Sequence, residues 1–142
     1  MSSFKKVVKD FADTNEWPIE WDGDLATIEF EAESGNAQTL YIGEGDGVVE
    51  FDVPSAAAFD SENAVPDEAC KILLKRNVLL PVGAWVLEEI DDQWCFSVMY
   101  NEDLEVLNNM EYDELADRVA TLVEECDEFD RLWEKLVSEK DK

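Results

Sequence analysis

The sequence predicts an α+β domain in which helices cover one antiparallel sheet, in the order α-β-β-β-α-β-β-α. Three observations predict it. From Asp113 to Leu136, apolar side chains recur as Leu115, Val119, Leu122, Cys126, Phe129, Trp133 and Leu136, in steps of three or four that form one stripe on a 3.6-residue helix. Five other runs carry strand-like apolar patterns, and two shorter segments keep helical spacing. The stripe is too long to be left in water, and the remaining apolar material supplies a surface to cover it. Residues 1–142 are expected to form a single domain, because 46% hydrophobic residues with five Trp, seven Phe and three Tyr can offset the entropy of ordering a chain of this length.

The first helix is expected from Ser3 to about Thr14, where Phe4, Val7, Val8 and Phe11 share a face and Lys5, Lys6 and Lys9 lie opposite. Asn15 and Pro18 stop it, Pro because it cannot continue the hydrogen-bond ladder. In the next five residues Trp17, Ile19 and Trp21 alternate, so an extended chain puts all three on one side. They read as a lid packed on the core edge or as an exposed binding patch. A meander of three strands follows at Thr27 to Glu33, Gln38 to Ile42 and Val48 to Val53. Ile28, Phe30, Leu40, Ile42, Val49, Phe51 and Val53 point inward, and a largely acidic face points out. The turns Asp22-Gly23-Asp24 and Gly43 to Gly47 lack the ligand positions and closing Glu of an EF-hand, so their glycines read as turn residues, and no metal site is expected.

Pro54 to Val65 reads as an irregular connection. Pro66 and Asp67-Glu68 start a second helix that buries Cys70, Leu73 and Leu74 and ends in Lys75 and Arg76, with Asn77 suited to a left-handed cap. The hairpin Ala84 to Ile90 and Trp94 to Tyr100 turns at Asp91-Asp92-Gln93. Neither of its strands has a purely polar face, which marks it as central in the sheet or covered by another chain. Asn101 to Asn109 reads as a polar loop, with Asn108 and Glu111 as a variant capping box for the last helix. That helix is expected to carry Asp117, Glu124, Glu125, Asp127, Glu128 and Glu134 on its outer side.

Charge bounds the partners. Thirty-six acidic against eleven basic residues give a formal net charge of −25, which disfavours docking on nucleic-acid phosphates. No Lys or Arg occurs from Asp10 to Cys70 or from Asn77 to Asp117. The acidic surface serves solubility, or it is a face for a basic partner. Cys70, Cys95 and Cys126 are isolated and lie on apolar stripes, as buried reduced thiols in a reducing cytoplasm would. No apolar run approaches the roughly 18 residues that span a bilayer, and the N-terminal residues have no signal-peptide core, so neither membrane insertion nor export is expected.

Leu73-Leu74-Lys75-Arg76-Asn77, then Leu80-Pro81-Val82-Gly83-Ala84-Trp85, then the helix from Asp113-Glu114-Leu115 to Asp127-Glu128-Phe129 resemble the YbjN-like family. That family shares its α-β3-α-β2-α fold with the acidic cytoplasmic chaperones of type III secretion systems. The resemblance implies a small, often dimeric interaction protein, either a regulator or a chaperone-like holder of a client segment.

Catalysis is not expected. There is no His, the Cys have no His partner, and the one Gly-rich loop lies between strands rather than before a helix. No cofactor is expected either. The sequence favours a non-catalytic module that binds a protein client or a second copy of itself through Trp17, Trp21, Trp85, Leu87, Trp94 and Tyr100. The alternative is a DNA-mimicking acidic regulator that occupies a basic protein.

Overall fold

A computed structural model describes residues 3–140. It is an α+β fold built on a six-stranded antiparallel sheet of order β1-β2-β3-β4-β6-β5, with the helices on one face. Helix α1 (Ser3–Thr14) leads into β1 (Ile19–Asp22), β2 (Leu25–Glu31), β3 (Ala37–Gly45) and β4 (Val48–Phe59). After a 3-10 turn at Glu62–Ala64 come α2 (Asp67–Asn77), β5 (Ala84–Ile90), β6 (Gln93–Asp103), the short α3 (Leu104–Asn108) and the long α4 (Tyr112–Lys140).

The expected lid is instead an edge strand. Ile19 pairs with Ile28 and Trp21 with Ala26, so the alternation read from the sequence places both side chains on the core side of β1. Helix α1 ends in a Schellman turn: Trp17 N–H donates to Ala12 C=O at 2.8 Å and Glu16 N–H to Asp13 C=O at 3.3 Å, with Glu16 at φ 59°. Asp46-Gly47 and Asp91-Asp92 close two-residue hairpins with positive φ at both positions, the geometry whose twist matches that of the flanking strands.

The connection expected after Val53 is largely strand. Strand β4 runs on to Phe59 through an irregularity between Pro54 and Ala58, where its small side chains pass beneath α4. The backbone groups freed there find partners on the helix: Ala56 N–H donates to Asp130 Oδ1 at 2.8 Å, and Cys126 Sγ–H donates to Pro54 C=O at 3.5 Å. Two cap assignments also change. Asn77 is the last residue of α2 and does not take a positive φ, and Val78 after it also keeps right-handed angles (φ −63°, ψ −29°), so Asn77 is no left-handed cap. Asn108 ends α3, which is capped at its start by Asp103 accepting from Glu105 N–H at 3.2 Å, and so makes no capping box for α4.

The core lies between the sheet and α1, α4 and part of α2. Helix α4 crosses β3, β4 and β6, burying Leu115, Val119, Leu122, Val123, Cys126 and Phe129. Phe129 meets Trp85 at 4.9 Å, Phe96 at 6.0 Å and Trp133 at 6.2 Å between ring centres. At the other end Phe11 of α1 packs on Tyr112 at 5.0 Å and Phe4 on Trp21 at 6.0 Å.

The side of α4 expected to face solvent is partly a second binding face. Asp127 is 1% exposed; it accepts from Ser34 Oγ–H at 2.8 Å and Asn36 Nδ2–H at 3.3 Å. Glu33 N–H donates to both Glu124 oxygens, and Gln38 Nε2–H donates to Asp130 at 3.0 Å. Burial alone raises the Asp127 carboxyl, but these bonds, with the Arg131 charge 3.3 Å away, outweigh it and hold the group below the usual range. Carboxylates at 124, 127 and 130 therefore clasp the β2–β3 turn and the β4 irregularity.

Phe129→Ala is expected to lower the free energy of unfolding by about 3–5 kcal/mol, because it leaves a cavity among three aromatic rings. Urea melts measure this. A loss under about 1 kcal/mol would mean that the ring cluster closes up without it.

Candidate interaction site

Two surfaces carry chemistry beyond core packing. The first lies where α2 meets β5. Asn77 side-chain Oδ1 accepts from Trp85 N–H at 2.6 Å, and its Nδ2–H donates to Trp85 C=O at 3.4 Å, so one side chain stands where a neighbouring strand would be. Trp85 therefore turns its backbone away from β6. By the alternation of antiparallel pairing, Leu87 and Glu89 present their N–H and C=O outward as well. Arg76 fixes this corner by a bidentate pair to Glu125 of α4 at 2.6 and 2.9 Å, and Glu125 also accepts from Trp85 Nε1–H at 2.8 Å. Beside it Cys70, Leu73, Leu74, Trp85, Leu87 and Phe96 line an apolar groove of about 150 Å³. Leu74 is 66% exposed, and Val78 and Leu79 are each 84% exposed, which makes a ledge of large apolar side chains next to an open strand edge.

The six residues singled out from the sequence do not form one surface. Trp85 and Tyr100 are buried, Trp85 under Phe129 and Tyr100 stacked on Phe51 at 5.4 Å. Burial and a hydrogen bond to Glu102 at 2.5 Å push the Tyr100 hydroxyl up to about 12, partly opposed by Arg118, which also bonds it. Trp17 and Trp21 are half-buried against Phe30 and Phe4, and Trp94 is half-buried on β6. Only Leu87 lines the α2 groove with part of its surface open. The exposed apolar residues here are Leu74, Val78 and Leu79: helical spacing puts Leu74 on the buried side of α2, but it faces solvent, and Val78 and Leu79 sit in an apolar run where no period tells an exposed residue from a buried one.

The second surface is the sheet face that no helix covers. The sheet curls so far that Asp22 on the first strand and Ile90 at the end of the last line the same hollow, of about 610 Å³. Asp52 lies within it on β4, facing Tyr41 on β3 and Ser97 and Cys95 on β6, with Glu88 on β5 beyond. Its Oδ1 is buried without a hydrogen-bond partner among the described residues. Burial, the neighbouring Glu88 carboxyl and the charge of Glu50 push the Asp52 carboxyl up to about 8, against a smaller opposing effect of Ser97. Ser97 Oγ–H is itself committed to Glu88 at 3.2 Å. Burial also raises the Cys95 thiol and, far more, the Cys126 thiol, so neither is a ready thiolate nucleophile. Among the described residues no three Cys, Asp or Glu side chains converge to hold a metal ion, and no helix is long and apolar enough to cross a membrane.

No protein-family profile matches this chain, and no curated protein matches it in sequence. Its fold is similar to the crystal structure of YbjN from E. coli, described as "a putative transcription regulator": the TM-score is 0.54 at 13% identity, over 86% of this chain and 89% of that one. The YbjN-like fold expected from residues 73 to 129 is thereby found at the level of architecture.

The raised Asp52 group sets a pH dependence with a definite sign. A carboxyl that holds its proton more tightly when folded makes the folded state bind more protons than the unfolded one, so its contribution falls as pH rises from about 4 to about 8. Asp52→Asn is expected to raise the melting temperature at pH 8 and to change it little at pH 5. Equal shifts at both pH values would show that Asp52 is not protonated near neutrality.

Proposed function

We propose that this chain is a non-catalytic protein-interaction module, regulatory or chaperone-like, that binds a protein client along the α2–β5 surface. The observation that carries this reading is the exposure of Leu74, Val78 and Leu79 around the Asn77–Trp85 contact, with Leu74 lining one groove with Leu87 of the open-edged β5. Large apolar side chains exposed together at a strand edge suit a partner that adds an extended segment to the sheet and seats its side chains in the adjoining groove. The buried, raised thiols and the absence of His support a binding role over a catalytic one. The likeness in fold to YbjN agrees with a regulatory setting. A second copy of the chain is the other partner of this kind, with the same apolar contacts made twice across a two-fold axis.

Leu79→Glu, alone and with Leu74→Glu, tests this. Each is expected to weaken capture of the client by roughly tenfold, about 1.4 kcal/mol, while the melting temperature stays near wild type because both residues are exposed. Capture from native cytoplasm at low and high salt, with light scattering on the purified chain, reads the outcome. Apolar binding survives salt, and a wild-type dimer that becomes a monomer in the variant identifies the partner as a second copy. An unchanged set of captured proteins together with an unchanged oligomeric state refutes the reading.

A further inference from the structure

We infer that the uncovered, concave face of the sheet is a docking groove for a short amphipathic helix of a partner protein, one that carries Lys or Arg on both flanks of an apolar stripe. The groove is separate from the α2 ledge and does not depend on it. The core-packing helices lie on the other face, and on this one residues from β1 to β5 line a single hollow, with Ser97 and Cys95 of β6 buried at its base. Its walls come from the two edge strands and its floor from the four between. That shape suits a rod about 10–12 Å wide rather than a flat surface.

The chemistry selects the occupant. Asp22 stands on one wall, Glu88 and Asp91 on the other, and Glu50 and Asp52 on the floor between them; no Lys or Arg among the described residues lines the hollow. Leu25, Tyr41 and Ile90 supply apolar contact, and Leu25 is 38% exposed with nothing over it. A ligand that matches both needs positive charge at each side and apolar surface in the middle. A lone metal ion does not fit, since the carboxylates are spread over several strands and no three converge. A phosphate-bearing ligand is repelled. Asp52 adds a carboxyl to the floor that no basic side chain among the described residues balances, so an incoming ammonium or guanidinium would supply the missing positive charge. On the neighbouring strands Asp52 stands among Glu88, Tyr41, Cys95, Ser97 and its register partner Met99, with Glu50 two residues before it, and none of these is a cation.

The test uses the full chain and a short dye-labelled helical peptide of Leu on one face and Lys on both flanks, with a Lys/Ser peptide of equal charge as control. Fluorescence anisotropy is expected to give at least tenfold tighter binding for the Leu/Lys peptide, at least a tenfold loss for the Asp22→Asn/Glu50→Gln double variant, and weakening by salt. Methyl NMR shifts are expected at Leu25 and Ile90. Calorimetry near pH 7 in buffers of different ionisation enthalpy is expected to show net proton release, with less release by Asp52→Asn. Leu79→Glu is expected to leave peptide binding unchanged, which separates this groove from the ledge. Equal affinity for the two peptides, or an unaltered affinity in the double variant, overturns the proposal. So does spermidine displacing the peptide at equal charge concentration, which would make the hollow a site for small amines.

Discussion

The seating of α4 on the sheet is the contact that the other parts of this molecule depend on. Its apolar stripe covers β3, β4 and β6, while the carboxylates of Glu124, Asp127 and Asp130 grip the backbone and side chains of the β2–β3 turn and of β4. Apolar burial supplies the attraction, but it is indifferent to small slides of the helix along the sheet. The polar row fixes the register, because each buried carboxylate loses its partners if the helix shifts by one turn. Glu125 extends the same control to α2 and β5 through Arg76 and Trp85.

Much of this was legible in the chain. The period of α1, the span of β5 and the inward residues Ile28, Leu40, Ile42, Val49, Phe51 and Val53 follow from alternation and helical spacing, and burial confirms them. Asp127 was not legible. A carboxylate on the polar side of a helical wheel reads as solvent-facing, and only the approach of Ser34 and Asn36, over ninety positions earlier in the chain, makes it a buried anchor. Strand β4 beyond Val53 was hidden by its Pro, Ser and Ala, whose strand preference is low and whose place in the sheet is set by α4 above them. The burial of two candidate site residues was hidden for a similar reason: aromatic residues look like interface anchors in a sequence, but Trp85 and Tyr100 sit against Phe129 and Phe51.

A chain with net charge −25 must place its carboxylates with care. On the helix-covered side each buried acid has donors. Arg76 answers Glu125 and Glu128, Arg118 answers Glu102 and Glu114, and backbone or side-chain N–H and O–H groups answer Asp127 and Asp130. On the uncovered side no Lys or Arg among the described residues lines the hollow with Asp52, Glu50 and Glu88, and Asp52 meets the shortfall by keeping its proton. The two faces of one sheet thus follow opposite electrostatic rules, one internally balanced and one left to be balanced from outside.

Asn77 has a bearing on what the molecule avoids. A sheet that ends in a bare strand can recruit copy after copy into a growing ribbon, and the four-residue β1 at the far side is too short to seed one. Strand β5 is longer, and Asn77 occupies its first open position with an amide that imitates a peptide group and then stops. Two outward residues remain beyond it, and one of these, Glu89, carries a negative charge. A single side chain thereby limits the strand to a short stretch of recruitment, enough for one segment to add and too little for sheet to stack on sheet without end.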